Sequence, residues 1–138
     1  MKPNVILVDD DKDTLEIFED YLELKGVNVL ATGKNGKEAV ELYLRHKPDV
    51  VLLDVMMPEY DGFFALKNIR ERDPSAKVVM VTADMTEQTR NRLQILKASG
   101  ILYKPYEINT VIETIEKVKE GQSVIAVKSK VTKYTPLC

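Results

Sequence analysis

The sequence predicts an α/β sandwich built on a parallel sheet. Three observations point there. Short apolar runs alternate with segments of helical period five times along the chain. The links between them are short. The runs are continuous and rich in β-branched residues rather than alternating, as strands buried on both faces are. Strict strand–helix alternation of this kind gives a parallel sheet covered by helices on both sides.

The elements follow in order. "NVILV" (4–8) reads as the first strand. In "TLEIFEDYLELKG" Leu15, Phe18 and Leu22 recur at helical spacing, and Gly26 supplies the stop. "VNVLAT" is the second strand, and "NGKEAVELYLRHK" the second helix, with Ala39, Val40 and Tyr43 on one face. "DVVLLD" is the third strand and "GFFALKNIRER" the third helix. "KVVMVTA" is the fourth strand; "TEQTRNRLQILKAS" is the fourth helix and the most polar. "GILYKP" is a short fifth strand. The fifth helix, "EINTVIETIEKVKEG", carries a stripe of Ile108, Val111, Ile112, Ile115 and Val118. Five units in about 120 residues fall short of an eight-unit barrel, which needs roughly 250. They fit the flavodoxin-like doubly wound (βα)5 sandwich, with a five-stranded parallel sheet of order 2-1-3-4-5.

A chain of 138 residues has the size of one domain and can bury a sizeable core. Its net charge of -2 implies no general polyanion partner, and direct nucleic-acid binding is not expected. No apolar run approaches the roughly 20 residues of a membrane span, so the expected compartment is the cytoplasm. The one cysteine, Cys138, excludes an internal disulfide framework and a cysteine-based zinc site. His46 is the one histidine and sits at a predicted helix end, a place for a solvated or dipole-facing side chain.

In this architecture ligands bind outside the carboxyl ends of the strands. The first strand ends in Asp9, Asp10 and Asp11, the third in Asp54, the fourth in Thr82 and Ala83, the fifth in Lys104 and Pro105. Parallel strands bring all of these to one edge. Crowded carboxylates must hold protons or a cation, and a hard oxygen-seeking ion such as Mg²⁺ answers that need. One carboxylate can then act as nucleophile toward a phosphoryl group, forming an acyl phosphate. Lys104 offers a compact positive charge and Thr82 a hydroxyl for the phosphoryl oxygens. Asp11 or Asp13 reads instead as a helix cap or a first-turn acid rather than a ligand.

The motifs "ILVDDD", "VVLLDVMMPEYDG", "VVMVTA" and "YKPYE", in this order over about residues 3–121, resemble the receiver domain of two-component response regulators. The resemblance implies that Asp54 accepts phosphate from a sensor histidine kinase or phosphotransfer protein. It implies that Asp10, Asp54 and the Met56 carbonyl bind Mg²⁺ directly, with Asp9 acting through a metal-bound water. It further implies that Thr82 and Lys104 contact the phosphoryl group, that Pro105 follows a cis peptide, and that Ala83 leaves space beside the site. The output would be a change in the face made by helix four, strand five and helix five, read by a downstream protein or a fused effector domain. The resemblance also allows a homodimer on activation.

Two positions depart from the family pattern. Ile101 stands where an aromatic switch residue is usual, three residues before Lys104, while Tyr103 directly precedes the lysine and by alternation faces away from it. Lys97 replaces a usual glycine. Ile101 leaves room for a receiver that serves as an interaction module without taking phosphate. A phosphatase with an aspartate nucleophile and Mg²⁺ is disfavoured, since the haloacid dehalogenase-like type expects a second Asp where Met56 stands. The receiver is expected over residues 1–121. The basic tail 122–138 is expected as a linker or stub, either ending a stand-alone receiver or leading to a further domain. A minority reading gives its "SVIAV" to an added strand or a subunit contact.

Overall fold

The computed structural model describes residues 2–136; Cys138 lies outside them. Five β/α units come first: β1 (Asn4–Val8), α1 (Lys12–Leu24), β2 (Asn28–Gly33), α2 (Gly36–His46), β3 (Val50–Asp54), α3 (Gly62–Arg72), β4 (Val78–Thr82), α4 (Glu87–Ile95), β5 (Gly100–Tyr106) and α5 (Ile108–Lys119). Two further strands follow, β6 (Val124–Lys128) and β7 (Lys130–Lys133). The sheet order is β2-β1-β3-β4-β5-β6-β7. The flavodoxin-like core order 2-1-3-4-5 is therefore present, in parallel register, and extended at the β5 edge.

The extension corrects the expectation of a flexible stub after residue 121. α5 carries the chain back across the sheet, so β6 pairs parallel with β5 (Gly100 opposite Val124). β7 then turns antiparallel along β6. The minority reading of "SVIAV" as an added strand is the one the structure bears out.

Alternation along each strand divides the core between two faces. Ile6, Val51, Leu53, Met80 and Ile101 pack toward α2, α3 and α4. Val5, Leu7, Leu52, Val79 and Leu102 pack toward α1 and α5. On α5, Val111, Ile115 and Val118 are buried, each contributing about 1.5–3 kcal/mol by leaving water. α4 is the contrast. It is nine residues long and buries only Leu93, so little apolar surface holds it to the sheet.

Helix starts are set by side-chain caps. Asp11, Asn35, Asp61 and Thr86 each accept a backbone N–H of the first turn, which satisfies donors the helix itself cannot. α4 stops at Ile95, earlier than its sequence pattern suggests, and Lys97 takes a left-handed conformation (φ 61°) after it. Among the described residues no helix is long and apolar enough to cross a membrane.

Candidate functional site

The carboxyl edge of the sheet gathers the predicted residues. Asp9 follows β1, Asp54 closes β3, Thr82 closes β4 and Lys104 lies near the end of β5. Carboxylate oxygens of Asp9, Asp10 and Asp54 all lie within 4.8 Å of one another. Lys104 Nζ stands 3.3 Å from Asp54 Oδ1 and 3.8 Å from Asp9 Oδ2. Asp54 and Thr82 are buried, whereas Asp10 is exposed.

Burial sets the chemistry of these groups. It pushes the Asp54 carboxyl up to about 6; Lys104 opposes this and Asp9 adds to it. Burial also raises Asp9, against the backbone N–H of Asp11 and the charge of Lys104. Among the described residues, one ammonium thus pairs with two of the three carboxylates. The Thr82 hydroxyl accepts the Asp84 N–H at 3.0 Å. The Asp84 carboxylate in turn takes the Thr86 N–H and the Thr89 hydroxyl, so the loop after β4 is tied to Thr82 and to the start of α4.

Local backbone features hold Asp54 in place. Gly62 donates its N–H to Val55 O at 2.9 Å, and a Cβ on it would collide with the Asp54 carbonyl oxygen. Only glycine lets the start of α3 approach β3 so closely. Gly36 does the same farther from Asp54, where it meets the Tyr60 and Asp61 carbonyls. Met56 lies in the loop beyond Asp54 with its side chain 71 % exposed. The Lys104–Pro105 peptide is cis, and Lys104 precedes it at the site.

Two contributions are not readable from the sequence. The Tyr106 ring stacks on Phe18 with centroids 5.2 Å apart, and both line the small cavity beside Asp9 and Asp54. Burial, then the charges of Asp9 and Asp54, push the Tyr106 hydroxyl up to about 12. The aromatic pair forms part of the wall beside these carboxylates. An aromatic in "YKPYE" is visible in the sequence, but its partner on α1 is a tertiary contact. The second is Tyr134 beyond β7, which is buried in the same apolar cluster as Leu93, Ile101 and Tyr103.

A doubly wound parallel sheet with this carboxylate group, hydroxyl and ammonium at its carboxyl edge defines a receiver-type domain. The profile described as the response regulator receiver domain matches residues 5–116. The chain is 36 % identical over 119 residues to the chemotaxis protein CheY of Bacillus subtilis, covering 85 % of this chain and 98 % of that protein. It is 33 % identical over 122 residues to a probable C4-dicarboxylate response regulator of the same organism, covering 88 % of this chain but 54 % of that one. Among solved structures, a CheX–CheY–BeF3–Mg complex from Borrelia burgdorferi matches with TM-score 0.78 and 34 % identity, over 83 % of this chain and 87 % of that one. The chain belongs to the response regulator receiver domain family.

Proposed function

We propose that the protein is a phosphorylation-dependent switch of a two-component system, with Asp54 as the phosphoryl acceptor. The observation that carries this is the buried Asp54 carboxylate, 3.3 Å from Lys104 Nζ and grouped with Asp9 and Asp10. The donor is a phosphohistidine on a sensor histidine kinase or phosphotransfer protein. An Asp54 carboxylate oxygen attacks phosphorus as the phosphorus–nitrogen bond breaks. The electron pair of that bond stays on the departing imidazole nitrogen, and an acyl phosphate remains on Asp54. Lys104 neutralises one phosphoryl oxygen, and the Thr82 hydroxyl donates to another.

The residues fit a hard divalent cation. The donors are all oxygen, they converge within 4.8 Å, and a single ammonium leaves their charge uncompensated. Asp10, Asp54 and the Met56 carbonyl would hold Mg²⁺, with Asp9 acting through water. When bound, Mg²⁺ supplies charge neutralisation for the incoming phosphoryl oxygens. The Borrelia relative solved as a complex with BeF3 and Mg supports this reading.

The protein acts as a signalling domain rather than an enzyme, in the cytoplasm. Residues 1–121 form the phosphoacceptor unit. Output runs through the α4–β5–α5 face to a downstream protein or a fused domain, and a homodimer on activation is one form that output takes. Ile101 is fully buried, so the change it transmits is one of packing. Acetyl phosphate with Mg²⁺, followed by intact mass, tests the reading. A phosphoryl adduct on the native chain that is absent from Asp54→Asn is expected; no adduct, or an undiminished one on the variant, overturns it.

A further inference from the structure

The C-terminal hairpin extends the sheet beyond β5, and the residues that follow it, Tyr134 and Thr135, reach the seam between α4 and β5. Tyr134 follows β7, and its N–H donates to Ser123 O at 2.7 Å. Its ring is 5 % exposed and shares a cluster with Leu93 of α4 and with Ile101 and Tyr103 of β5. Gln94 of α4 reaches Thr135 O at 3.5 Å. The segment therefore touches both elements and fastens one to the other.

Three observations make this fastening marginal. Among the described residues the buried Tyr134 hydroxyl has no hydrogen-bond partner, which opposes closure. The Gln94–Thr135 bond is long. α4 itself buries only Leu93. Regions with so few anchoring contacts open first.

The same seam is wired to the site. Thr82 lies opposite Tyr103 in the β4–β5 register. The Tyr134 hydroxyl is near enough to Tyr103 and Arg90 that both act on it, Tyr103 adding to the upward push of burial and Arg90 opposing it. Thr82 also holds the Asp84 N–H, and Asp84 holds the first turn of α4. The strap thus fits the arrangement in which Lys104 pairs with the Asp54 carboxylate and Thr82 with Asp84. A Thr82 that turns toward a phosphoryl group on Asp54 pulls on α4 at one end while Tyr134 grips it at the other. Packed seams of this kind switch between discrete fits rather than stretch.

We propose that the β6–β7 hairpin, through Tyr134, is an autoinhibitory strap that holds α4 on β5 and loosens when Asp54 is phosphorylated. The inference rests on Asp54 being the phosphoryl acceptor. Coupling is reciprocal, so a weaker strap must favour phosphorylation by the factor that phosphorylation weakens the strap.

The test uses the full chain, Tyr134→Ala and Tyr134→Phe. Acetyl phosphate with Mg²⁺ and intact mass measure the phosphorylated fraction. Hydrogen exchange over 124–134, with and without beryllofluoride and Mg²⁺, measures the strap. Tyr134→Ala removes the grip and should raise the affinity for beryllofluoride with Mg²⁺, read by titration, about fivefold or more. Tyr134→Phe keeps the ring and removes the unpaired hydroxyl, so it should lower it. Beryllofluoride should speed exchange in β6 and β7 of the native chain by a similar factor. An adduct on Asp54 with unchanged exchange, or with both variants behaving as native, overturns the strap alone. No adduct on the native chain overturns the phosphoacceptor reading and the strap with it.

Discussion

Replacing Asp54 by asparagine should make the protein more stable at neutral pH when no divalent cation is present. Burial raises the carboxyl from 3.8 to about 6, against the pull of Lys104. A raised carboxyl pKa means the folded state binds the proton more tightly than the unfolded chain does. Its stabilising contribution is complete below about 4 and is lost as pH rises through about 6. A gap of that size corresponds to about 3 kcal/mol, of which about 2 kcal/mol should disappear between pH 4 and pH 7.5. Asparagine has no proton to lose, so the native protein should fall by that amount relative to Asp54→Asn across the same range. Urea unfolding in the presence of a chelator, at half-unit pH steps, measures it. Parallel stability profiles for the two proteins would refute the claim that Asp54 is ionised against its burial. Mg²⁺ should restore stability to the native chain far more than to the variant, because only the native set keeps all three carboxylates.

Other perturbations follow from the same geometry. Lys104→Ala removes the group that lowers Asp54, so the Asp54 carboxyl should titrate above about 6, read by carbon NMR of the side chain. Gly62→Ala drives a methyl into the Asp54 carbonyl oxygen, and should cost about 1–3 kcal/mol in urea unfolding while slowing phosphorylation. Tyr43→Phe deletes the 2.5 Å bond to the Asp73 carboxylate and should cost about 1–2 kcal/mol in urea unfolding with no change in phosphorylation. Met56→Asn replaces an apolar side chain in the loop after Asp54 and should shorten the phosphoryl lifetime in a chelator-quenched decay assay. An unchanged lifetime removes Met56 from any role in hydrolysis.

The site is legible because strand ends are legible. A strand buried on both faces is written as an unbroken apolar run, and Asp54 and Thr82 are the first polar residues after such runs. Topology then brings those ends together, as Asp9, Asp54 and Lys104 illustrate. Boundaries decided by capping are harder to place. α1 begins at Lys12, two residues before the apolar period shows it, because Asp11 caps it. Approaches between segments distant in sequence are not legible at all. Nothing in "NG" or "DG" says that Gly36 meets the Asp61 carbonyl or that Gly62 meets that of Asp54. The hairpin is legible only in part: "SVIAV" admits an added strand, whereas the lysines of β7 are the charges that blunt an edge strand and equally make the segment resemble a solvated linker.

The electrostatics also separate two roles that a divalent cation is often given together. Burial pushes the Asp54 carboxyl up to about 6, which still lies below neutral pH, so at pH 7 the carboxylate form prevails. What the residues lack is positive charge. Among the described residues Lys104 is the one ammonium paired with the cluster, and it already serves both Asp54 and Asp9. A phosphoryl group arriving on Asp54 exchanges a carboxylate of charge -1 for an acyl phosphate of about -1.5 to -2, adding up to about one negative charge beside Asp9 and Asp10, where burial magnifies repulsion. On the proposed reading the cation serves to offset charge as phosphate arrives, not to make Asp54 nucleophilic. It follows that raising pH above 7 should do little to replace Mg²⁺ in phosphorylation by acetyl phosphate, since further ionisation of Asp54 leaves the charge deficit untouched. Phosphorylation at pH 8.5 without Mg²⁺ that matched the rate at pH 7 with it would break this separation.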